Sequence, residues 1–371
     1  MKKINIGYMI SYVSQDGPPN ILYNIVKYLP KEKYNIYLFI IDKNKKYIGN
    51  DRFVQLGIEI IYLDLNMMET FYYDINKLNK IIKEKNIQIL HGHCLRSCFL
   101  LSKLKSCKTI STIHCNIRQD FKLSYGTTKG KLMELLYFHC LKKINFIICC
   151  SESVKNDIER YNKKLKFDFI RNGVDISKFC QMNGKKDLRK KLNLEENTIY
   201  FISVGYLIKR KGMDFLAVNF SKLKLKNSKL IILGSSKENK EIEREIRALG
   251  DKNIILKGYV KNVGDYLNAA DYFVSSSLYE GLPNSVLEAC CAKLPLLLSD
   301  IGPHREIFEL NKKIGQLYKL GDDLDFSEKL LKLLKNNYNE MSNYSYEIVS
   351  NFLNSELMSK KYQELYEKAL K

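Results

Sequence analysis

The sequence contains no uninterrupted apolar run near the roughly 20 residues that a membrane-crossing helix requires, so its 371 residues are not expected to span a bilayer. It also lacks a GxxxxGK[ST] phosphate loop, and Gly234-Ser235-Ser236 is missing the further glycines of a dinucleotide fingerprint. No internal repeat, helix-turn-helix signature or RNA-binding motif is present. The ten cysteines have no framework spacing, and Cys149-Cys150 and Cys290-Cys291 lie inside apolar segments, which fits reduced thiols in a cytoplasmic protein. Histidines and cysteines meet at His91-Gly92-His93-Cys94 and His114-Cys115, but without C-x2-C or H-x3-H spacing, which argues against zinc. The apolar run that opens the chain ends at Ser11, Ser14, Gln15 and Asp16, too soon for a signal peptide, and reads as a first strand. Acidic residues are scarce beside basic ones, 41 against 61, for a net charge of +20. Such a surplus suits a phosphorylated substrate, anionic lipid or nucleic acid as partner.

What is present is an alternation of short apolar runs with helical patterns. In the first half the runs are 4–10, 34–41, 58–63, 87–90, 108–113 and 146–149; in the second they are 199–204, 230–233, 254–256, 272–274 and 296–299. This pattern predicts α/β architecture with parallel sheets covered on both faces, and the length suits two domains. The positive surplus leans N-terminal, since residues 1–170 hold 28 Lys and Arg against 15 Asp and Glu.

Strand ends are where an open parallel sheet binds ligands. The loop Asp16-Gly17-Pro18-Pro19-Asn20, followed by a predicted helix over 21–29, stands at one such end, and His93 and His114 close two others. A segment over 121–143 places Lys122, Lys129, Lys131, Lys142 and Lys143 around Leu132, Met133, Leu135, Leu136, Tyr137, Phe138 and Leu141. It reads as an amphipathic helix with basic ends, packed on its own domain or lying on an anionic membrane surface.

The most informative stretch is Glu280-Gly281-Leu282-Pro283-Asn284-Ser285-Val286-Leu287-Glu288, which follows a strand and the polar run 275–277. A helix over 285–292 would begin at the Pro283-Asn284-Ser285 corner, with Asn or Ser capping it and its N-terminus favouring an anion. Glu280 then stands on the loop and Glu288 one turn inside the helix, so that two carboxylates grip one polar ligand. This stretch, with Ser276-Ser277 before it and Pro295 after it, resembles the E-x7-E motif of GT-B glycosyltransferases of the retaining family 4. Lys293 departs from that family's usual Gly. Further resemblances occur in family order: Gly17, the Thr112-Ile113-His114 strand end, Cys150 to Lys155, Ile170 to Asp175 with Phe179, Gly205 to Gly212, Gly258-Tyr259-Val260 and Ser299 to Glu306.

The resemblance implies two Rossmann-like domains facing across a cleft. Residues 1–172 form the acceptor side, with a C-terminal helix at about 355–371 packing back on it, and residues 173–354 bind the nucleotide-sugar. His114 and Glu280 are implied at the reacting sugar, and Glu288 on the ribose hydroxyls. Lys211 is implied on the diphosphate, with Gly17, Tyr259, Val260, Gly281, Leu282, Pro283 and Asn284 around the donor. The family's diphosphate-binding Arg is replaced by Tyr206, so either Lys209 or Arg210 supplies the second cation or the clamp is weaker, because Lys and Arg are not interchangeable at a bidentate site. The expected function is a retaining, metal-independent glycosyltransferase with no cofactor. It would use a UDP- or GDP-sugar as substrate and a saccharide or lipid-linked acceptor in cell-surface polysaccharide synthesis, in the cytoplasm or peripheral on the inner face of the membrane. The alternatives are a GT-B sugar-nucleotide epimerase and a basic nucleic-acid-binding protein.

Overall fold

The computed structural model describes residues 3–14, 17–43, 49–180, 184–236 and 240–371. The chain divides into two compact units, Met1–Gly173 with Ser355–Lys371, and Val174–Asn354. The boundary expected after residue 172 therefore falls after Gly173, and the helix Ser355–Leu370 belongs to the first unit.

In the first unit the strands are β1 (Ile4–Ile10), β2 (Tyr34–Asp42), β3 (Glu59–Leu65), β4 (Ile89–Gly92), β5 (Lys108–Ile113), β6 (Phe146–Cys149) and β7 (Asp168–Phe169). They form one parallel sheet in the order β3-β2-β1-β4-β5-β6-β7. Alternation along β1 explains the layering: Ile6, Tyr8 and Ile10 face one core together with Tyr362 and Tyr366 of the last helix, while Met9 faces the opposite core with Leu90 and Cys98. The last helix is fastened by Ser359 Oγ, which donates to the Ile25 carbonyl at 2.9 Å, and by Ser355 Oγ, which donates to the Gly173 carbonyl at 3.2 Å.

The second unit repeats the plan with β8 (Ile199–Val204), β9 (Ser228–Leu233), β10 (Ile254–Gly258), β11 (Tyr272–Ser275), β12 (Leu296–Ser299) and β13 (Gly315–Tyr318), ordered β10-β9-β8-β11-β12-β13 and again parallel. The strand order reverses between β1 and β4 in one unit and between β8 and β11 in the other. At such a point the loops leaving neighbouring strands diverge to opposite faces and open a crevice at the carboxyl ends. The loops after β8 and β11 carry Lys211 and Glu280; those after β1 and β4 carry Gly17 and His93.

Three local expectations are corrected. The helix predicted from Ile21 begins at Gly17, with φ +49; Pro18 and Pro19 fit its first turn because those positions need no backbone N–H donor. Asp16 lies outside the described residues. The helix predicted over 121–143 runs Ile117–Leu141 and is broken at Gly126, whose φ of 77 is not helical. Its two arms fold close enough that a Cβ on Gly130 would stand 2.6 Å from the Phe121 carbonyl oxygen. The helix predicted over 285–292 spans Asn284–Cys291; Pro283 is its N-cap and no side chain caps it.

Candidate functional site

In the second unit, Lys209, Arg210 and Lys211 form one tight turn that Gly212 closes at φ 57. A Cβ on Gly212 would stand 2.3 Å from the Ser276 carbonyl oxygen, so only glycine lets this turn approach the loop after β11. Gly234 plays the same part for the loop after β9, since a Cβ there would lie 1.8 Å from the Gly205 carbonyl oxygen. Ser276 Oγ donates to the Gly212 carbonyl at 2.6 Å, and the Leu278 N–H donates to the Arg210 carbonyl at 2.8 Å. The two loops are therefore stitched together by a side-chain-to-backbone and a backbone-to-backbone hydrogen bond.

This stitching delivers two cations to one carboxylate. Lys211 Nζ donates to Glu280 Oε1 at 2.6 Å and Arg210 donates to Glu280 Oε2 at 2.5 Å, while Ser277 Oγ donates to Oε1 at 2.8 Å. Glu280 is buried, at 6% exposure. Burial opposes its charge, yet Lys211 and Arg210 together bring the carboxyl down to about 2. Lys209 faces elsewhere, toward Asp214 and Glu245. Of Lys209 and Arg210, Arg210 is thus the one that lies beside Glu280 with Lys211.

Behind this group Ser299 Oγ donates to the Ser277 carbonyl at 2.7 Å, and His304 Nδ1 donates to the Ser299 carbonyl at 2.7 Å. Burial takes His304 down to about 4, so the ring is neutral at pH 7. Sequence reasoning did not single out Ser277, Ser299 or His304 as supports; the polar runs closing two apolar strands were the available signal.

Glu288 lies half-buried on the helix Asn284–Cys291, and its carboxyl makes no hydrogen bond among the described residues. Burial raises it to about 7, with Lys178 and Lys211 pulling the other way. Gly281, Leu282 and Pro283 are buried along the approach to the helix. The Asn284 side-chain oxygen is buried without a partner among the described residues, instead of capping the helix as expected. Tyr259 is 62% exposed just past β10, and Val260 beside it is half-buried.

In the first unit the carboxyl ends of β4 and β5 bring His93 and His114 together, with His93 Nδ1 and His114 Nε2 3.0 Å apart and the rings stacked. Burial lowers both, His114 to about 4, so both rings are neutral at pH 7. Gly17 sits at the start of its helix, and nothing stands within 4 Å of where its Cβ would be. Among the described residues no three His, Cys, Asp or Glu side chains gather as metal ligands.

The family described as Glycosyltransferase Family 4 matches residues 16–178, and the family described as Glycosyl transferases group 1 matches residues 184–348. An uncharacterised glycosyltransferase of Methanocaldococcus jannaschii is 32% identical over 237 residues, which cover 62% of this chain and only 57% of that protein's length. The UDP-Gal:alpha-D-GlcNAc-diphosphoundecaprenol alpha-1,3-galactosyltransferase of Escherichia coli is 27% identical over 274 residues, 69% of this chain and 68% of that protein. The crystal structure of Anabaena HepE in complex with UDP superposes with a TM-score of 0.82 at 13% identity, over 98% of this chain and 100% of that one, a likeness of fold. These comparisons support neither the epimerase nor the nucleic-acid alternative. With both halves matched in order and both sheets built as GT-B enzymes build them, the chain belongs to the GT-B glycosyltransferases of family 4 and group 1.

Proposed function

We propose that this glycosyltransferase moves a sugar, with retention and without a metal, from a UDP- or GDP-sugar to a saccharide or lipid-linked saccharide acceptor in the synthesis of a cell-surface polysaccharide. The observation that carries the reading is the convergence of Lys211 and Arg210 on the buried carboxylate of Glu280. Glu280 fixes both cations beside the uncapped start of the helix Asn284–Cys291, where backbone N–H groups and the helix dipole favour an anion. A nucleoside diphosphate set there would have its charge met by Lys211, Arg210 and these N–H groups as it departs, the part a metal plays in other transferases. The bond from the anomeric carbon to the diphosphate oxygen breaks, the acceptor hydroxyl oxygen bonds that carbon on the same face, and the hydroxyl proton passes to the leaving phosphate oxygen. Glu288 accepts from the ribose hydroxyls, Tyr259 and Val260 flank the base, and His114 orients a hydroxyl of the transferred sugar. Gly17 gives the phosphates close access to backbone.

The lipid-linked acceptor has support in the name of the E. coli relative, an alpha-D-GlcNAc-diphosphoundecaprenol alpha-1,3-galactosyltransferase. It also has support in the bent helix Ile117–Leu141. Leu123, Leu132 and Leu135 are 56%, 66% and 61% exposed, and Lys122, Lys129, Lys131, Lys142 and Lys143 are exposed around them. Leucines ringed by lysines suit shallow insertion into an anionic membrane surface, and no described helix is long and apolar enough to cross one. The reading is tested by incubating the chain with a panel of UDP- and GDP-sugars in EDTA, without acceptor. Slow release of UDP or GDP from one donor supports it; isomerisation of the sugar, or no turnover of any donor with undecaprenyl-diphosphate saccharides added, overturns it.

A further inference from the structure

The pair His93 and His114 contains more than a contact between two strand ends. His93 is buried, at 2% exposure, and its Nε2 has no partner among the described residues, while its Nδ1 lies 3.0 Å from His114 Nε2. Both rings are neutral, so each carries one proton and one lone pair, and a single proton lies between them. Two arrangements are open. If His93 carried its proton on Nε2, a buried N–H would be left without an acceptor. If it carries it on Nδ1, only a lone pair is left bare. Buried orphan N–H groups are much the rarer of the two.

From this we infer that His93 is a positioning residue: its Nδ1–H donates to His114 Nε2 and holds His114 as the tautomer protonated on Nδ1. His114 Nδ1 makes no hydrogen bond among the described residues. His114 therefore presents a fixed N–H donor to its ligand, and its only lone pair is committed to His93. It can hydrogen-bond a sugar hydroxyl oxygen but cannot take a proton from one. The surroundings hold His93 in place. His91, whose ring centroid is 4.2 Å from that of His93, is bound on both sides, by Tyr366 OH at 3.0 Å on Nδ1 and Thr112 Oγ1 at 2.7 Å on Nε2. Tyr8 OH, 2.7 Å from Tyr366 OH, continues the same network. The inference rests on the proposal that His114 meets the donor sugar.

The test is histidine-selective 15N labelling of the whole chain, with long-range 1H–15N correlation spectra at pH 7. The five histidines are assigned from single His→Gln variants. A His114 pattern with a protonated Nδ1 and a bare Nε2 is expected, and the opposite pattern in the unsubstituted protein overturns the inference whether or not any variant folds. In His93→Phe the His114 pattern should relax toward the Nε2-protonated form, with kcat falling about tenfold or more and donor KM unchanged. His93→Asn, whose amide N–H can reach toward the same acceptor, should recover part of the loss. If His114→Ala abolishes turnover while His93→Phe does not, the positioning role is wrong. If neither matters, it is the placement of His114 at the sugar that fails.

Discussion

Lys211 Nζ and Arg210 share the two oxygens of the Glu280 carboxylate, one cation on each. The three side chains come from two loops about 70 residues apart in sequence, and each is held in place by the others. Removing one member does more than subtract a charge. Losing Lys211 or Arg210 leaves a buried carboxylate short of a partner; losing Glu280 leaves two cations facing each other.

Arg210→Ala and Lys211→Ala should each lower kcat/KM for the donor by about 10- to 100-fold, the scale of a charge-assisted hydrogen bond worth about 1.5–3 kcal/mol. Lys209→Ala should leave it within about twofold, because Lys209 pairs with Asp214 and Glu245 instead. Steady-state kinetics at subsaturating donor decide the matter, and equal losses in all three variants would sink the assignment of Arg210.

If Glu288 holds the ribose as proposed, donor binding should depend on pH. Its carboxyl is raised to about 7 by burial, so the charge that would strengthen a grip on ribose hydroxyls is gained only as pH passes that value. Donor affinity should rise between pH 6 and 8, and in Glu288→Gln this rise should vanish. Stability runs the other way. The folded carboxyl holds its proton where the unfolded one has lost it, so the contribution of Glu288 to folding declines as pH climbs from about 4.5 to 7. Urea melts of both proteins across that range would show it.

Acid acts on Glu280 in the reverse sense. Its folded carboxyl sits near 2, below its ordinary value, so the stabilisation is fully present above about pH 4.5 and is lost as pH falls toward 2. Glu280→Gln should flatten that acid limb of the stability curve, measured as denaturant midpoint against pH.

Lys293, which stands where the family usually has Gly, adopts φ 59 just after the helix Asn284–Cys291. Left-handed backbone costs a side-chain-bearing residue about 1–2 kcal/mol. Its ammonium lies 5.2 Å over the Tyr346 ring, a partial compensation. Lys293→Gly should therefore be more stable than Lys293→Ala by about 1 kcal/mol in denaturant melts; equal stability would mean that the turn is unstrained.

The exposed lysines at 122, 129, 131, 142 and 143 should bind vesicles containing anionic lipid in a salt-sensitive way, each contributing about 1 kcal/mol near such a surface. Replacing all five by Gln should release the protein in co-sedimentation at physiological salt. Binding that ignored salt, lipid charge and the substitution would assign the surplus to composition alone.

The sheets were legible because β-rich apolar runs buried on both faces have few other interpretations. The edge strand β13, Gly315–Tyr318, escaped notice because it is four residues long and half-buried at Gln316 and Leu317. The break at Gly126 escaped because its flanks, 121–125 and 127–141, are each helical in pattern, and a lone glycine inside a helix is tolerated more often than it bends one. At the site, Glu280, Glu288 and Lys211 could be named from the motifs that resemble those of the family. The pairing of Lys211 and Arg210 with Glu280 could not, because it depends on the strand order that brings the ends of β8 and β11 side by side. The pairing of His93 with His114 was hidden for the same reason, through the adjacency of β4 and β5.

The last helix fixes an order of assembly. Tyr362 and Tyr366 are core residues of the first unit and supply hydroxyl partners to Thr112, His91 and Tyr8, yet they follow the whole of Val174–Asn354 in the chain. On the ribosome the first unit emerges early but lacks this wedge until residues 355–370 have been made, whereas the second unit is contiguous and complete before then. The half of the enzyme that is synthesised first is therefore finished last, and protease protection in stalled nascent chains should appear in the second unit before the first.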